Sequence, residues 1–444
     1  MLTTTTLVAI GVLVLGGVAL LRGADVRLVL AISGLALFGV AGKWSGFVTE
    51  FTTEMVNPRT VVPICSAWGF ARILKLTECD QHLVRLLLRP LRTAKWLLVP
   101  GGVAVCFVVN TAVVSQTGTA SIVGPLLVPL LLASGFGRAT AGAVLLLGSS
   151  MGGELFNPGA VELATLAPLV KMTPHEVVGR VMPFNLVACG AALAAFWAGV
   201  VCWPEKCDER DEPGPSPGLC GESDGEEGAT ASPNVNVVKA LVPLLPLVIL
   251  FALPVAVRHW QLPTLPGHVE IAVAMLIGSA AAALTAPHCA NGLTAAFFDG
   301  AGYAYTHVVS FIIVATTFAA GVAATGLIER AAALLAGAPA ALTLASAGLP
   351  MSMAVVTGTG IGTGVPLIKI LVPLADRAGA DPLRIGALVA VFAQFGRTCS
   401  PVAPIVMLAA TVTGVRPLRI LRRVAPALLI GGAVLLVAVL AGWM

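Results

Sequence analysis

Long apolar runs dominate the chain, and most have the length of a membrane-spanning helix. A helix crosses a bilayer with ~20 mostly apolar residues. The runs that meet this criterion are 3–21, 26–47, 180–203, 238–257, 269–288, 307–327 and 424–443. The stretch 78–95 instead alternates leucines with basic residues, which is typical of a helix that lies at the interface. The pattern predicts an all-α, polytopic membrane protein.

Two apolar regions are too long for one span and are interrupted by polar residues. Each contains a Ser/Thr/Gly run and, later, a polar run with proline. In hydrocarbon an unpaired backbone N–H or C=O costs several kcal/mol, so non-helical backbone needs partners from protein or water. We predict a re-entrant hairpin and then a broken helix in each region. The predicted hairpins lie at about 97–134 and 340–376, and the broken helices at about 138–170 and 384–413.

The two regions resemble each other at a nearly constant spacing. The matches are Val128-Pro129 with Val372-Pro373 at an offset of 244 residues, and Asn157-Pro158 with Ser400-Pro401 and Pro183 with Pro426 at 243. The Ser/Thr/Gly runs also correspond, at 115–121 and 357–364. An offset that changes by only one residue from Val128 to Pro183 indicates an internal duplication.

The duplication divides the chain into an N-terminal repeat at 1–204 and a C-terminal repeat at 237–444. The segment 205–236 between them is rich in Pro, Gly and acids and reads as a solvated linker. With about five transmembrane helices and one re-entrant hairpin per half, the second repeat is inverted relative to the first. Lys and Arg, including Lys75, collect on the side that holds Arg416–Arg423, which indicates the cytoplasm. In this topology both termini lie outside. We therefore expect an acidic cytoplasmic linker, with the broken helices at the bilayer midplane.

Composition narrows the function classes. The chain is 57% hydrophobic and 11% charged, with a formal net charge of +4. A soluble globular protein carries roughly 25% charged residues, so a soluble fold, a disordered chain and a nucleic-acid-binding protein are excluded. The nine cysteines include no C-x-x-C pair, and we predict neither a metal site nor a cofactor.

Polar residues in the interruptions are the candidate binding groups. Inverted repeats with broken helices are typical of secondary transporters, and helix N-termini suit carboxylates. The candidate substrate-binding residues are Ser115, Gln116, Thr117, Gly118, Thr119, Ser150, Glu154, Asn157, Thr357, Gly358, Thr359, Gly360, Thr363, Gln394, Arg397, Thr398 and Ser400.

Glu154 and Arg397 are ionisable residues inside apolar segments, which marks them as functional candidates. They occupy equivalent positions at the offset of 243. Because a guanidinium can hold a carboxylate by two hydrogen bonds, we expect Arg397 to bind a substrate carboxylate, or to pair with Glu154 in the empty site. Glu154 is also a candidate carrier of a coupling proton. Glu162, Lys171 and Lys369 are weaker candidates, and the histidines are read as ordinary.

Residues 115–163, from SQTGTAS to GAVEL, resemble the first conserved region of the anaerobic C4-dicarboxylate carriers of the DcuC type. Residues 357–385 and the sequence FGRTCSP at 395–401 resemble the second. The resemblance covers most of 60–200 and 305–440. It implies membership of the ion-transporter superfamily, with inverted repeats, re-entrant hairpins, a scaffold and a moving transport domain, and a homodimer.

The substrate implied by the resemblance is a C4-dicarboxylate such as succinate, fumarate or malate. It implies transport across the cell inner membrane by elevator-type alternating access. The residues that match the family's motifs are Gly396, Arg397, Thr398, Ser400 and Pro401 in the second region, and Ser115, Thr117 and Gly118 in the first. Exchange and coupling to H⁺ or Na⁺ stay open, as does a sodium site near the hairpin tips.

Two alternatives stay open. The first is a carrier of the same architecture for another organic anion, such as a short-chain monocarboxylate or an aromatic acid. The second is a membrane-embedded enzyme, which would need clustered catalytic groups. Because the sequence contains no visible cluster of that kind, we predict no enzyme. The expected partners are the small dicarboxylate and the lipid bilayer.

Overall fold

The structure is a computed structural model that describes residues 4–22, 24–93, 97–203, 205, 235–260, 266–335 and 339–443. These residues are mostly helical, and no β-strand occurs among them. Most of the predicted linker at 205–236 lies outside the described residues, which include only Glu205, Val235 and Asn236 of it.

The helices before the linker are α1 (Thr4–Leu21), α2 (Val26–Val40), α3 (Trp44–Met55), α4 (Pro58–Thr77), α5 (Cys79–Leu88), α6 (Leu98–Val113), α7 (Gln116–Ala133), α8 (Arg138–Ser150), α9 (Val161–Leu169) and α10 (Pro174–Cys202). The helices after it are α11 (Val237–Leu241), α12 (Leu245–Trp260), α13 (Gly267–Thr285), α14 (Ala290–Ala304), α15 (Ser310–Ala324), α16 (Leu327–Leu335), α17 (Pro339–Thr357), α18 (Ile361–Arg377), α19 (Pro382–Thr398), α20 (Pro404–Thr413) and α21 (Pro417–Leu440). A π-helical turn, Tyr305–Val309, joins α14 to α15.

Local start and stop signals explain many of these bounds. Proline stands in the first turn of α4, α10, α19, α20 and α21, where the missing N–H leaves no hydrogen bond unmade. Asp25, Asn57 and Asp381 cap α2, α4 and α19 through their side-chain oxygens, which satisfies N–H groups of the first turn. Gly414 ends α20 in the left-handed conformation, as glycine commonly does.

Seven helical segments within the described ranges are long and apolar enough to cross a membrane. They are Gln116–Ala133, Arg138–Leu169, Pro174–Cys202, His268–Thr285, Pro287–Ala324, Pro339–Thr357 and Pro417–Leu440. The predicted all-α class is confirmed, and the segments fit a multi-pass membrane protein.

The prediction of one continuous span at 26–47 is wrong. Helix α2 ends at Val40 and α3 starts at Trp44. Between them Gly42 adopts a φ of +69°, which glycine reaches without the strain that a Cβ brings. The turn divides the apolar run into two shorter helices.

The helices of the two interrupted regions pack against each other in an exchanged pattern. Helices α6 and α7 form a hairpin that packs on α8, and α17 and α18 form a second hairpin that packs on α19. Helix α9, however, packs on α18, whereas α20 packs on α7. Helix α10 lies along α21. Each interrupted segment therefore contacts both hairpins, and the two hairpin turns approach the same place.

Candidate functional site

Each hairpin turns at a residue in the left-handed region, and the two residues are equivalent at the offset of 244. Val114, with φ +52°, ends α6, and Gly358, with φ +71°, follows α17. We call Val114–Gln116 the first tip and Gly358–Gly360 the second tip. Ser115 Oγ and Thr359 Oγ1 each accept a backbone N–H from the following turn at 3.1 Å. A hydroxyl at the same position therefore caps the helix after each tip.

The chain between α8 and α9 is non-helical apart from a short 3-10 turn, Gly153–Phe156. Asparagine side chains pair two of its backbone groups: Asn110 Oδ1 accepts the Glu154 N–H at 2.9 Å, and Asn185 Nδ2 donates to Gly152 O at 2.7 Å. Asn157 of the segment itself donates through Nδ2 to Thr111 O of α6 at 2.9 Å. These hydrogen bonds pair backbone N–H and C=O groups for which lipid offers no partner. Asn110 and Asn185 are not among the predicted site residues, and their only signal in the sequence is an amide within an apolar stretch of α6 or α10.

The two ionisable residues of the interruptions form a buried ion pair. Arg397 Nη1 donates to Glu154 Oε1 at 3.2 Å, and the two side chains are 6% and 5% exposed. Arg397 Nη2 also donates to the carbonyl oxygen of Ser150 at 3.2 Å. Gln116 Nε2, from the first tip, donates to Glu154 Oε2. Thr398 Oγ1 donates to Ser150 O at 2.9 Å, so hydrogen bonds join the two interruptions directly.

A second buried carboxylate lies beside this pair. Glu162, in the first turn of α9, is 1% exposed and its Oε1 accepts a 2.8 Å hydrogen bond from Gln394 Nε2. From the sequence Glu162 is only a weaker candidate, because its side chain could reach an interface. The packing of α9 on α18 and α19 instead encloses it.

A cavity of about 230 Å³ lies between the two tips, and we call it the central cavity. Pockets for drug-sized ligands are ~300–1,000 Å³, so this volume suits a smaller molecule. Of the predicted residues, those that line it are Ser115, Gln116, Thr117, Glu154, Gly358, Thr359, Gly360 and Arg397. The charged groups of the central cavity thus come from both interrupted helices, and its backbone turns come from both tips.

Three stacked aromatic side chains, Trp68, Tyr303 and His307, form another wall of the central cavity, and we call them the aromatic ladder. Trp68 of α4 stacks on Tyr303 of α14 with ring centroids 5.3 Å apart, and Tyr303 stacks on His307 at 4.1 Å. All three line the cavity. His307 Nδ1 lies 3.0 Å from the Tyr303 carbonyl oxygen, and a carbonyl only accepts hydrogen bonds, so Nδ1 is the donor. Nε2 then accepts in the neutral ring and donates only when the ring carries both protons. The sequence predicts no functional role for His307, because it does not reveal the π-helical turn that contains this residue. Such turns often occur at functional sites.

A second cavity of about 400 Å³, which we call the vestibule, adjoins the central cavity. Both cavities are lined by Trp68, Ser115, Thr117 and Tyr303. The vestibule also contains Arg72, Lys75 and Asp80. Asp80 lies on α5, outside the candidate spans, and its burial raises its pKa to about 6. Two cations and one weakened acid leave the vestibule positive, which attracts anions.

The remaining predicted residues surround the central cavity without lining it. Gly118 lines the vestibule, and the hydroxyl of Thr357 donates to a carbonyl within α17. The buried ones are Thr119, Ser150, Asn157, Thr363, Gln394, Thr398 and Ser400. In the described part of the chain, no group of three or more His, Cys, Asp or Glu is placed to hold a metal ion.

A charged pocket between interrupted helices of a multi-pass, all-helical fold is the architecture of membrane transporters. The fold is similar to the crystal structure of the YdaH transporter of Alcanivorax borkumensis, with a TM-score of 0.56 and 14% identity over 89% of this chain and 88% of that one. The sequence profile of the C4-dicarboxylate anaerobic carriers (DcuC) matches residues 60–443, and the chain belongs to this family.

Relatives agree with that assignment. The chain is 23% identical to the anaerobic C4-dicarboxylate transporter DcuC of Escherichia coli K12, over 97% of this chain and 91% of the relative. It is also 37% identical over 123 residues to an uncharacterised transporter of Haemophilus influenzae, which covers 28% of this chain and 85% of the relative. The predicted family is confirmed, and its members are transporters rather than enzymes.

Proposed function

We propose that this chain is a secondary active transporter of C4-dicarboxylates such as succinate, fumarate or malate. The observation that carries the proposal is the buried Arg397 guanidinium, which lines a small cavity between the two tips. Its partner in the structure is the carboxylate of Glu154. A substrate carboxylate offers the same oxygens, so it can take the place of Glu154 on Arg397. The family of the chain supports the four-carbon substrate.

The opposite end of a dicarboxylate needs a second partner, and His307 lines the same cavity. Because its Nδ1 already donates to the Tyr303 carbonyl, Nε2 can donate to a carboxylate when the ring carries both protons. The N-terminus of α18 instead lies beside Arg397, since a Cβ at Gly360 would be 3.1 Å from Arg397 Nη1, and it adds partial positive charge near the carboxylate that Arg397 binds. A substrate with two separated carboxylates can contact both Arg397 and His307, whereas a monocarboxylate makes only one of these contacts.

We also propose two inverted repeats, at 1–204 and 237–444, which move substrate by elevator-type alternating access. The exchanged packing of α9 on α18 and of α20 on α7 supports a pseudo-twofold relation. In this proposal the hairpins and broken helices move together against a scaffold that contains Trp68 and Tyr303. The predicted topology places Lys75 at the cytoplasmic side, so the vestibule opens inward. The site lies in the inner membrane, in a homodimer.

The test is counterflow in proteoliposomes that contain the purified protein, with labelled succinate outside and unlabelled succinate inside. We expect exchange that fumarate and malate inhibit and that acetate and butyrate do not. Arg397→Lys should reduce exchange by at least tenfold, because the ammonium lacks the planar fork. Arg377→Lys is the matched control, since Arg377 forms an exposed pair with Glu329. Wild-type vesicles without succinate exchange would contradict the proposal.

A second candidate substrate is an aromatic acid, which the ladder of Trp68, Tyr303 and His307 favours. Aromatic rings stack on such side chains with a gain of ≈ 0.5–1.5 kcal/mol beyond area burial. Benzoate-type acids and their amide conjugates therefore belong in the competition panel. Stronger inhibition by them than by fumarate would favour this candidate.

The topology and the assembly have separate tests. A protease site inserted into 206–234 should be cut only from the cytoplasmic side, and tags at both termini should be reached from outside. Light scattering of the detergent-solubilised protein should give twice the mass of one chain. Cleavage of the inserted site from outside would contradict the inverted arrangement.

A further inference from the structure

The two buried carboxylates of the central cavity differ in their partners. Glu154 accepts hydrogen bonds from Arg397 and Gln116, and its backbone N–H is held by Asn110. Glu162 accepts one side-chain bond, from the neutral amide of Gln394. Among the described residues no cation lies within ion-pairing distance of Glu162. A buried carboxylate without a cation is unfavourable as an anion and becomes neutral most easily.

The partner of Glu162 has an unfilled acceptor. Gln394 Oε1 is buried and has no hydrogen-bond donor in the part of the chain that the structure describes. Exchanging the amide oxygen and nitrogen would not help, because Gln394 Nε2 already donates to Glu162. A protonated Glu162 supplies the missing donor, because a carboxylic acid can accept from an amide N–H and donate to its C=O at the same time. The protonated state thus satisfies a group that the ionised state leaves unpaired.

The charges of the cavity favour the same state. Glu154, Glu162 and Arg397 together carry one negative charge when both acids are ionised, and a dicarboxylate adds two more. Like charges at close range in a site shielded from water repel strongly. A proton on Glu162 removes one of these charges without disturbing the ion pair of Arg397 and Glu154, or of Arg397 and the substrate.

The neighbours of Glu162 supply no other counter-charge. Helices α4, α10, α18 and α19 pack on α9. Arg397 of α19 and Glu154 are the charges that act on Glu162, and His307 lines the same cavity. On α18, Lys369 is under the influence of Glu50 and Glu54 instead. The remaining charges of these helices lie near their ends: Arg59, Arg72 and Lys75 on α4, His175, Glu176 and Arg180 on α10, Asp376 and Arg377 on α18, and Arg384 on α19.

We propose that Glu162 carries the coupling proton, so that a dicarboxylate and a proton bind together and cross the membrane in the same step. This inference rests on the proposed function. Glu154 stays ionised as the resting partner of Arg397, and Glu162 takes up a proton from the side to which the central cavity opens. Release of the substrate on the other side lowers the negative charge of the cavity, and Glu162 then releases its proton there.

Glu162→Gln is the central variant, because its amide N–H can donate to Gln394 Oε1 as a protonated carboxyl does. In wild-type proteoliposomes we expect an inward proton gradient to drive accumulation of labelled succinate. A dianion with one proton carries a net negative charge, so the membrane potential is clamped to zero, and the inside-to-outside concentration ratio should then change about tenfold per pH unit of gradient. In Glu162→Gln counterflow should still be measurable, whereas accumulation should no longer respond to the gradient. Glu162→Asp should keep the response. The control is Glu329→Gln, a surface position that should behave as wild type.

Each outcome separates the two proposals. Wild-type vesicles without counterflow would contradict the proposed function itself. Counterflow together with a pH response that persists in Glu162→Gln would overturn the proton-carrier role alone. Accumulation driven by a sodium gradient and not by pH would overturn it as well.

A measurement on the wild type guards against a variant that fails to fold. Calorimetric titration with succinate, in buffers of different ionisation enthalpy, counts the protons that bind with the substrate. We expect an uptake of about one proton per succinate at a pH where free Glu162 is ionised, which also reports on its protonation state. Succinate binding with no proton uptake at any pH would overturn the inference.

Discussion

The two tips share a backbone design but differ in what they offer the cavity. At the offset of 244, Gln116 of the first tip is equivalent to Gly360 of the second. The Gln116 side chain donates to the Glu154 carboxylate. Gly360 has no side chain, and a Cβ built there would lie 3.1 Å from Arg397 Nη1. One tip therefore supplies a hydrogen bond to an anion, whereas the other leaves room for a cation.

The interruptions differ in the same way. Glu154 in the first is equivalent to Arg397 in the second at the offset of 243, and Glu162 is equivalent to Ile405. All four line the central cavity. Residues at equivalent sequence positions of the two interruptions therefore differ in chemistry, so a single cavity contains a cation on one side and two acids on the other. Two tips with similar backbone turns thus flank a site whose charges are not symmetric.

The largest expected effect comes from reversing the charge of one partner. Arg397→Glu leaves three buried carboxylates without a counter-ion, and breaking a buried pair costs ~3–5 kcal/mol. We expect a large drop in the melting temperature of the purified protein and no measurable counterflow.

The double variant Glu154→Arg/Arg397→Glu, which swaps the two charges, tests whether each tip is specialised for the charge that it faces. It should regain much of the melting temperature, because the ion pair is restored in the opposite sense. It should not regain counterflow, since Gln116 then faces a guanidinium and Gly360 a carboxylate without a donor. Wild-type transport in the swapped protein would show that the tips are not specialised.

The next effect comes from filling the space at the second tip. In Gly360→Ala the methyl group would lie 3.1 Å from Arg397 Nη1, and overpacking typically costs 1–3 kcal/mol. We expect kcat/KM for succinate to fall by about tenfold, measured by initial uptake rates. Gly348→Ala on α17 is the control, because a Cβ there meets nothing within 4 Å. Equal effects of both variants would mean that Gly360 matters only for helix packing.

A smaller effect concerns the left-handed turns. Gly358→Ala forces a Cβ into a φ of +71°, at a cost of roughly 1–2 kcal/mol, and should lower the melting temperature. Val114→Gly relieves the same strain at the first tip but removes a side chain that is 9% exposed. The gain and the loss should nearly cancel, and the melting temperature should stay within about half of the Gly358→Ala shift. A clear rise in Val114→Gly would show that strain dominates at the first tip.

The smallest effect is expected in the vestibule. Arg72→Gln and Lys75→Gln weaken the positive potential without touching the central cavity, so KM for succinate should rise a few-fold at low salt. At high salt the variants and the wild type should converge, because the Debye length shortens to ~3 Å at 1 M. Because the vestibule opens to the cytoplasm in the proposed topology, uptake into inside-out vesicles measured over a salt series checks this. A KM difference independent of salt would indicate direct contact with the substrate.

Local sequence signals predicted the helical class and the residues of both tips. Ser115 and Thr359 each precede a helix, and their hydroxyls accept a backbone N–H from its first turn. This capping role depends only on residues that are close in the sequence. The sequence indicated Glu154 and Arg397 as functional candidates because ionisable residues inside membrane segments are rare and usually functional.

The sequence alone determined that this chain consists of apolar helices with two related polar interruptions, because helix length, capping and the cost of unpaired backbone in lipid depend on nearby residues. Only the tertiary structure decided that Glu162 meets Gln394 and that Trp68, Tyr303 and His307 form one wall. These contacts join distant parts of the chain. In a membrane the lipid-facing and core-facing sides of a helix are both apolar, so the pattern along the chain does not reveal which side meets which neighbour.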